Sequence, residues 1–556
     1  MENQNLGTNY TNNSSQEQYN NSNLAFEPGT ANARQYYGTD NAFGAYYAAP
    51  NTAKVNKAKT ADVEAFRKYG LIAIIYAVWH TFCLYDNNSG ITYPFYMLGT
   101  LILIAWARKR DGLSILKDRN GKAGLNIFYI ISLMLLSISK CTTANFDLIW
   151  IDEFAITLLV FSFLVHMYVD TREWDIIGWI FGIALTALKP FSHFGDPMED
   201  MAAWVKSRGS KMNGEKKANI MAVIAGLGIG LPMLFVVVAL LASADAVFSN
   251  TITSTFEFIF EFDYIWDLIA ITWMILWSIW LFYTVIKGLN KKGIEVDVTK
   301  RSGFNPIVGI TFTSLLCVVY LFFSVIQIFG LFMGKMTLPD NYTYAEYAHE
   351  GFYQLLAVSL MNLALVTLCQ RLFKRSLVLK ALLMVVGMCT YIMIASSAFR
   401  MIMYIGAYRL TFLRVFVLWF LVVISLWLAY LLASLIDETF PVFNLCMITV
   451  TVMYIAFVFA NPDYHIAKYD LQYLGDTTMD GRVDRYSSQS MQSYLTMDIS
   501  MDAVPAMAGN KELLKLYGEN LAESRTEKYK LNLNTLRKFN FSEYRAYKLI
   551  NEVYGE

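Results

Sequence analysis

The stretch FLRVFVLWFLVVISLWLAYLLASL, residues 412–435, decides the fold class of this chain. A single ionisable side chain, that of Arg414, interrupts it. The hydrocarbon core of a membrane is about 30 Å thick, and a helix needs about 20 apolar residues to cross it. Because backbone groups in lipid must be hydrogen-bonded within their own segment, this stretch predicts a membrane-spanning helix.

Similar apolar runs lie on both sides of this stretch, and several of the early ones are short. Together they predict an all-α, polytopic transmembrane helical bundle of 10–12 spans. With 412–435 they make twelve candidates, and the others are 69–85, 92–107, 124–140, 151–169, 174–190, 219–243, 265–287, 306–332, 351–370, 377–399 and 440–460.

The composition supports the same class and excludes others. Charged residues make up 16% of the 556 residues and hydrophobic residues 56%, whereas soluble domains have about 25% charged residues. Lys plus Arg and Asp plus Glu both number 45, so we expect the lipid bilayer, and no nucleic acid, as a partner. The six cysteines form no CxxC pair, and we expect no metal site and no cofactor.

Polar regions flank the apolar block and divide the chain into three predicted parts. Residues 1–66 are rich in Asn, Gln, Ser, Thr, Tyr and Gly and predict a disordered tail, because few aliphatic side chains offset the chain entropy. Residues 67–460 form the predicted transmembrane domain. Residues 461–556 predict a small, mainly helical C-terminal module with apolar residues at helical spacing, which would dock either on its own protein or on a protein partner.

The distribution of Lys and Arg predicts a cytoplasmic N-terminus in the cell membrane. The loops 108–122, 203–217 and 287–301 are basic, whereas 244–264 carries acids and neither Lys nor Arg. The first two basic loops are separated by three runs, so one of 124–140, 151–169 or 174–190 is re-entrant or interfacial, or the charge rule fails there. One such break gives eleven spans and an external C-terminus. Two breaks, or none, return the C-terminus to the cytoplasm.

A polar cluster at the start of the 351–370 run is the first candidate site. Glu346, His349 and Glu350 lie at i, i+3 and i+4 and therefore share a helix face. Gln354 follows one turn later, and Asn362 lies two turns deeper. Such a group could bind a cation or carry protons, because ionisable groups at membrane depth are costly and often functional. Alternatively, the acids only complement the dipole of a helix N-terminus.

Other polar residues are weaker candidates. Asp245 follows the 219–243 run and is either buried or a solvated loop acid. Arg400 and Arg414, with Arg409 between them, would pair with the acids, bind lipid phosphates or act as interfacial anchors. His166 and Lys380 lie within apolar runs, where a packed histidine and a snorkelling lysine are the alternatives to a proton relay.

Motifs of known enzymes do not account for these residues. His349 and Glu350 begin an HExxH pattern, but its last position is Tyr353, so the zinc-protease motif fails. The sequence contains no phosphate-binding Walker loop, kinase signature or GxSxG elbow, and we assign no catalytic residue.

Several stretches resemble an uncharacterised bacterial membrane family, domain of unknown function 4173, which is related to domain of unknown function 4153. They are LLASADAVF (240–248), GFNP (303–306), YAEYAHEGFYQLLAV (344–358), YRLTFLR (408–414), NPDYHIAKYDL (461–471) and SMDAVPAM (500–507). The family pattern usually has Arg in place of His349 and Gly in place of Arg409. The resemblance implies a bacterial cell membrane and brings no catalytic residues.

Three functions remain open at this point. The long polar ends favour a non-enzymatic envelope or signalling component whose ends recruit partners. The number of spans and the polar residues of the 351–370 run favour a transporter of a small solute or lipid. A membrane enzyme acting on lipid or cell-wall precursors is the third, without a motif to support it.

Overall fold

A computed structural model describes residues 61–117, 123–171, 174–208, 264–290, 303–329, 343–437, 439–474, 491–521 and 536–554, with isolated positions between 222 and 248. Residues 1–60 of the predicted disordered tail lie outside the described residues. Most of the 219–243 run lies outside them as well.

The described residues are overwhelmingly α-helical, which confirms the predicted fold class. Their extended pairing is limited to one bridge between Phe304 and Phe373. We number the helices α1 Val63–Leu84, α2 Thr92–Arg110, α3 Gly124–Thr142, α4 Phe146–Tyr168, α5 Ile176–Ser192, α6 Asp196–Arg208, α7 Tyr264–Asn290, α8 Pro306–Gln327, α9 Tyr344–Leu372, α10 Leu377–Tyr408, α11 Phe412–Ile436, α12 Val442–Phe459, α13 Pro462–Asp470, α14 Val504–Met507, α15 Lys511–Leu521 and α16 Phe541–Tyr554.

Eight of the described helices are long and apolar enough to cross a membrane, namely α3, α4 and α7 to α12. They correspond to eight of the twelve predicted runs. The 174–190 run forms α5, whose apolar part Ile176–Leu188 falls short of a span, and α1 and α2 are outside the group of eight. The structure therefore shows a multi-pass membrane protein, with fewer clear spans in its described part than the 10–12 predicted.

Local sequence signals set the starts of the helices. The side chains of Asp62, Asn145 and Asp175 accept hydrogen bonds from main-chain N–H groups in the first turns of α1, α4 and α5. These contacts satisfy donors that lack a partner inside the helix. Asn305 caps α8, which begins with Pro306, and proline suits a first turn because its missing N–H is not needed there.

The outer faces of the long helices are apolar. Leu315 and Phe322 of α8 are 67% and 70% exposed, although an exposed apolar patch of this kind is rare in a soluble protein. In each of these eight helices, half or less of the apolar 18-residue stretch is buried. The pattern is that of helices whose outer faces contact lipid.

One end of the bundle is defined by the start of α1, and we call it the Asp62 end. The Asp62 main-chain N–H donates to Asp200 Oδ1 at 2.5 Å, and Tyr69 Oη donates to Asp111 Oδ1 at 2.5 Å. Lys287, in the last turn of α7, forms an ion pair with Asp196 at 2.8 Å. The ends of α2 and α7 and the start of α6 therefore lie together here.

The opposite end, which we call the Tyr85 end, holds the C-terminal helices. Tyr85 Oη donates to Asp267 Oδ1 in the first turn of α7 at 2.7 Å. The Ile91 N–H donates to the Phe539 carbonyl oxygen at 2.9 Å, and Asn145 Nδ2 donates to Asp463 Oδ2 at 2.7 Å. The α1–α2 and α3–α4 connections thus meet residues from beyond α12.

Helix α5 begins and ends at the Asp62 end. Its first turns contact the end of α4, where the Trp179 and His166 rings stack 6.3 Å apart. Directly after its last turn, Trp280 Nε1 donates to the Phe194 carbonyl oxygen, and Asp196 reaches Lys287. The 174–190 run is therefore the one that does not cross, which is one of the three alternatives that the basic loops left open.

The C-terminal helices share a hydrophobic core with the N-terminal spans. This core contains Leu133 of α3 and Phe163 of α4 together with Leu495, Met507 and Leu514 of the C-terminal region. A second cluster joins α9, α10, α11 and α12. Residues 461–474, 491–521 and 536–554 are accordingly packed on the bundle, and the division into three domains remains a prediction.

Candidate functional site

The predicted cluster at the start of α9 does not form a closed site in the described residues. Glu346 is exposed and completes a capping box, in which its carboxylate accepts from the Thr343 N–H at 3.0 Å and the Thr343 hydroxyl accepts from the Glu346 N–H. Glu350 and Gln354 are exposed. The side chain of His349 lies outside the described part. Glu346 thus caps the start of α9, at the helix N-terminus where the alternative interpretation placed an acid that complements the dipole.

Asn362 lies apart from these residues, buried between three helices. Its Oδ1 accepts from Tyr320 Oη of α8 at 2.9 Å, and its Nδ2 donates to Thr390 Oγ1 of α10 at 2.9 Å. A buried amide with partners on both atoms is satisfied. Asn362 therefore joins α8, α9 and α10 within the bundle.

Arg400 is the predicted residue that the structure brings to the start of α9. Its Nη1 donates to the Tyr347 carbonyl oxygen at 3.1 Å, and its guanidinium lies 4.2 Å from the centre of the Tyr347 ring. A β-carbon added at Gly351 would lie 1.9 Å from Nη1. The guanidinium therefore fits against α9 because position 351 is glycine.

The remaining predicted residues are spread over the molecule. Arg414 donates through Nη1 to the carbonyl oxygens of Tyr408 and Arg409 at 2.7 and 2.6 Å, so it fixes the α10–α11 connection. Asp245 is exposed and accepts from the Phe248 N–H at 2.9 Å. His166 is buried between the Tyr129 and Trp179 rings, and Lys380 is partly buried near the start of α10.

The structure groups a different set of polar residues at the Tyr85 end, which we call the carboxylate cluster. It consists of two almost fully buried carboxylates, Asp463 and Asp502, and the hydroxyl and amide groups that surround them. Asp463 Oδ2 accepts from Asn145 Nδ2 at 2.7 Å and from Ser500 Oγ. Asp502 accepts from Thr143 Oγ1 at 2.5 Å and from the Ala144 N–H at 2.7 Å.

Short local motifs place these carboxylates. Asn461 has a φ of 52° and caps α13, and Pro462 begins that helix, so Asp463 lies in its first turn. The Ser500 hydroxyl accepts from the Asp502 N–H at 3.3 Å. Asn540 Nδ2 donates to the Thr143 carbonyl oxygen at 2.7 Å, at the start of α16. The cluster therefore connects the α3–α4 connection to three separate parts of the C-terminal region.

A third buried carboxylate, Asp470, lies at the end of α13. Its Oδ1 accepts from the Leu410 N–H at 3.1 Å, beside Arg409. Arg409 has a φ of 66°, and its guanidinium lies 3.8 Å from the centre of the Tyr473 ring. A positive φ favours glycine, which is the residue that the resembling family pattern has at this position.

Burial raises the pKa of all three carboxyl groups, because a low-dielectric environment disfavours the charged form. The pKa of Asp463 rises to about 6 by burial and by the nearby charge of Asp502, against hydrogen bonds from Ser500 and Asn145 that lower it. The pKa of Asp470 rises to about 6 by burial, against the Leu410 N–H and the charges of Arg414 and Arg409. Burial also raises the pKa of Asp502.

Ionisable side chains continue from this cluster into the spans. Lys140 of α3 forms an ion pair with Glu153 of α4 at 2.7 Å, and Tyr93 Oη donates to the same carboxylate at 3.1 Å. Asp152 accepts from Ser139 at 2.6 Å and from Tyr454 at 2.7 Å. Such groups are rare in spans and usually face the bundle interior.

The sequence analysis missed the carboxylate cluster. Asp463, Asp470 and Asp502 lie in the stretches NPDYHIAKYDL and SMDAVPAM, which carried the family resemblance. Nothing in their local spacing marks them as a group, because the residues that contact them are far away in sequence. The NPD turn and the SMD turn are the signals that a reader of the sequence could have used.

Comparison with known proteins found one family. The sequence model described as a domain of unknown function, DUF4153, matches residues 130–509. That range includes most of α3, all of α4 and α13, and the carboxylates Asp463 and Asp502. No curated protein and no solved structure matches this chain.

Proposed function

The chain belongs to the DUF4153 family, and we propose that it is a non-enzymatic envelope or signalling component of the bacterial cell membrane. In this proposal the Asp62 end faces the cytoplasm and the Tyr85 end faces outward. The C-terminal helices then present a surface to a protein partner outside the cytoplasm. Membership of the DUF4173 group rests on the resembling stretches alone.

The observation that carries this proposal is the way the C-terminal helices join the bundle. Asp463, Asp502 and Asn540 connect them to the α3–α4 connection, and their apolar side chains belong to the core of the N-terminal spans. A movement of these helices would therefore also displace α3 and α4. This coupling is what a component needs to pass information between a partner and the membrane.

The orientation follows from the basic residues at the Asp62 end. Arg108, Lys109, Arg110 and Lys117 lie in or beside the α2–α3 connection, and Lys374 and Arg375 lie in the α9–α10 connection. Short loops rich in Lys and Arg stay in the cytoplasm. This argument supports a cytoplasmic N-terminus and an outward-facing C-terminal region.

An exposed apolar patch on the C-terminal region is the surface offered to the partner. It consists of Leu536, Phe541 and Tyr544, each about half exposed. The Phe539 ring lies behind it, 5.1 Å from Phe541 and 5.5 Å from Tyr544. Exposed aromatic side chains on a fixed support are typical of protein interfaces.

The test compares three variants in cells that lack the chromosomal copy. Phe541→Ser/Tyr544→Ser should lose complementation of the deletion phenotype, because the partner loses its apolar contact. Leu116→Ser, which changes an exposed apolar residue at the Asp62 end, is the matched control and should complement. Immunoblots of membrane fractions check that all variants insert equally.

The transporter alternative is favoured by the Lys140–Glu153 pair and Asp152 within the spans. The double variant Glu346→Gln/Glu350→Gln, together with Glu153→Gln, separates the two functions. If the patch variant complements fully and the variants in α4 and α9 do not, the proposal is wrong and the transporter alternative gains. If only the patch variant fails, the proposal stands.

A further inference from the structure

A cavity of about 550 Å³ opens at the Asp62 end, away from the carboxylate cluster. Its walls come from the α4–α5 connection, the end of α9, the start of α10 and the α11–α12 connection. Arg108 Nη1 donates to the Met167 carbonyl oxygen at 2.9 Å, which fixes the end of α4 beside it. Neither the exposed apolar patch around Phe541 nor the carboxylates of Asp152 and Glu153 line this cavity.

The described residues around the cavity are strongly basic. Arg371, Lys374, Arg375 and Lys380 line it, and Asp175 is the carboxylate among them. Arg371 Nη1 pairs with Asp175 Oδ1 at 2.8 Å. Among the described residues, the lining therefore carries four cationic side chains against one acid, and their field favours an anion.

Helix ends add to this preference. The helices α5, α10 and α12 all begin beside the cavity, and the main-chain N–H groups of a first turn attract anions. Pro441 precedes α12 and supplies no side-chain cap. The first-turn N–H groups of α12 therefore have no capping side chain as an acceptor.

Part of the cavity wall is apolar. Leu125, Phe373 and Phe443 line it and are partly exposed, and the Trp179 ring stacks on Phe443 with their centres 4.4 Å apart. A small inorganic anion would contact only the basic rim. A ligand with a phosphate and an acyl chain would contact both surfaces, since binding sites are mostly apolar with a few polar groups that fix orientation.

We propose that this cavity binds a phosphate-bearing ligand, and that the ligand is an anionic phospholipid of the leaflet at the Asp62 end. The phosphate lies among Lys374, Arg375 and the start of α12. An acyl chain lies against Leu125, Phe373 and Phe443. Arginine and lysine between spans are suited to lipid phosphates.

Calorimetric titration of the purified full chain in neutral detergent tests the proposal. The probes are short-chain phosphatidylglycerol, short-chain phosphatidylcholine and glycerol 3-phosphate. We expect phosphatidylglycerol to bind, and Lys374→Gln/Arg375→Gln to weaken that binding about thirtyfold, from about 1 kcal/mol for each cation removed. Both side chains are exposed, so the substitutions leave the packing intact.

Matched variants separate this site from a general effect of charge. Lys511→Gln/Lys548→Gln removes two exposed lysines at the Tyr85 end and should leave the affinity unchanged.

Three results would overturn the proposal. Equal affinity for phosphatidylglycerol and phosphatidylcholine would exclude an anion site. Equal affinity for phosphatidylglycerol and glycerol 3-phosphate would identify a soluble phosphate compound and exclude the lipid. Unchanged affinity in Lys374→Gln/Arg375→Gln, with weaker binding in the Lys511→Gln/Lys548→Gln control, would place the site elsewhere.

Discussion

At the scale of single residues, the buried Asp463 makes the stability of this protein depend on pH. Its pKa is raised from 3.8 to about 6 by burial, so the folded state binds more protons than the unfolded state between these values. The contribution is fully present below about pH 4 and is lost as the pH rises through 6. Its size is up to about 3 kcal/mol, from 1.36 kcal/mol for each pKa unit.

We therefore expect the free energy of unfolding to fall between pH 4.5 and 7.5, and to fall less in Asp463→Asn. Chemical unfolding in detergent at several pH values measures this. Part of the fall in the free energy of unfolding should remain in Asp463→Asn, because the pKa of Asp470 also rises to about 6. Asp437→Asn is the control, because Asp437 is exposed and hydrogen bonds from Thr439 lower its pKa. An identical slope in Asp463→Asn and the parent protein would contradict the prediction.

The capping box of α9 gives a second prediction at this scale. Thr343→Ala removes the hydroxyl that accepts from the Glu346 N–H and should cost about 1 kcal/mol. Amide exchange at Tyr344–Tyr347 should become about fivefold faster. Glu346→Gln keeps a side-chain acceptor for the box and should change exchange much less. Equal effects of the two substitutions would show that the carboxylate has a role beyond capping.

At the scale of residues, the sequence predicted groups whose members are close together in the chain and missed groups whose members are far apart in it. Glu346 and Glu350 were found because a helix places i and i+4 side by side. Asp463 meets Asn145, and Asp502 meets Thr143, only after at least nine intervening described helices have packed, and no local rule encodes such pairs. Arg409, with its φ of 66°, occupies a backbone conformation that favours glycine, the residue of the resembling pattern, and its departure from that pattern has no structural explanation.

At the scale of helices, α10 carries a matched pair of glycines that tests close packing. A β-carbon at Gly387 would lie 2.4 Å from Leu432 Cδ2 of α11, whereas none of the described atoms lies within 4 Å of one at Gly406. Gly387→Ala should destabilise the protein by about 1–3 kcal/mol, the usual cost of overpacking. Gly406→Ala should leave stability unchanged or raise it by up to about 1 kcal/mol. Thermal unfolding in detergent distinguishes the two.

If Gly387→Ala unfolds at the temperature of the parent protein, α10 and α11 adjust more freely than their packing indicates. A large loss in Gly406→Ala would show instead that this position contacts something beyond the described residues.

Helix-scale prediction from sequence was good for the type of element and weaker for the course of each helix. Apolar length located α3, α4 and α7 to α12, because lipid imposes one requirement on each span separately. The 174–190 run has the same composition, yet α5 returns to the Asp62 end through contacts with Trp280 and Lys287. Hydropathy cannot encode that return, whereas the charge pattern of the neighbouring loops indicated a break.

At the scale of the whole molecule, the packing fixes relative sidedness. The helices α1 to α4 alternate between the two ends, α7 runs from the Tyr85 end to the Asp62 end, and α8 to α12 continue the alternation. The C-terminal region therefore lies opposite the α2–α3 connection. From sequence alone, ten, eleven and twelve spans were all open, because one undecided run reverses everything after it.

Cysteine labelling in intact cells tests this arrangement and its orientation together. Glu519→Cys lies on α15 at the Tyr85 end, and Lys117→Cys lies in the α2–α3 connection; both positions are exposed. All six native cysteines are buried, so the parent protein is the unlabelled control. We expect a membrane-impermeant maleimide to label Glu519→Cys in intact cells and Lys117→Cys only after permeabilisation. The reverse result keeps the architecture and overturns the proposed orientation, and labelling of both from one side contradicts the packing of the C-terminal helices on the α3–α4 connection.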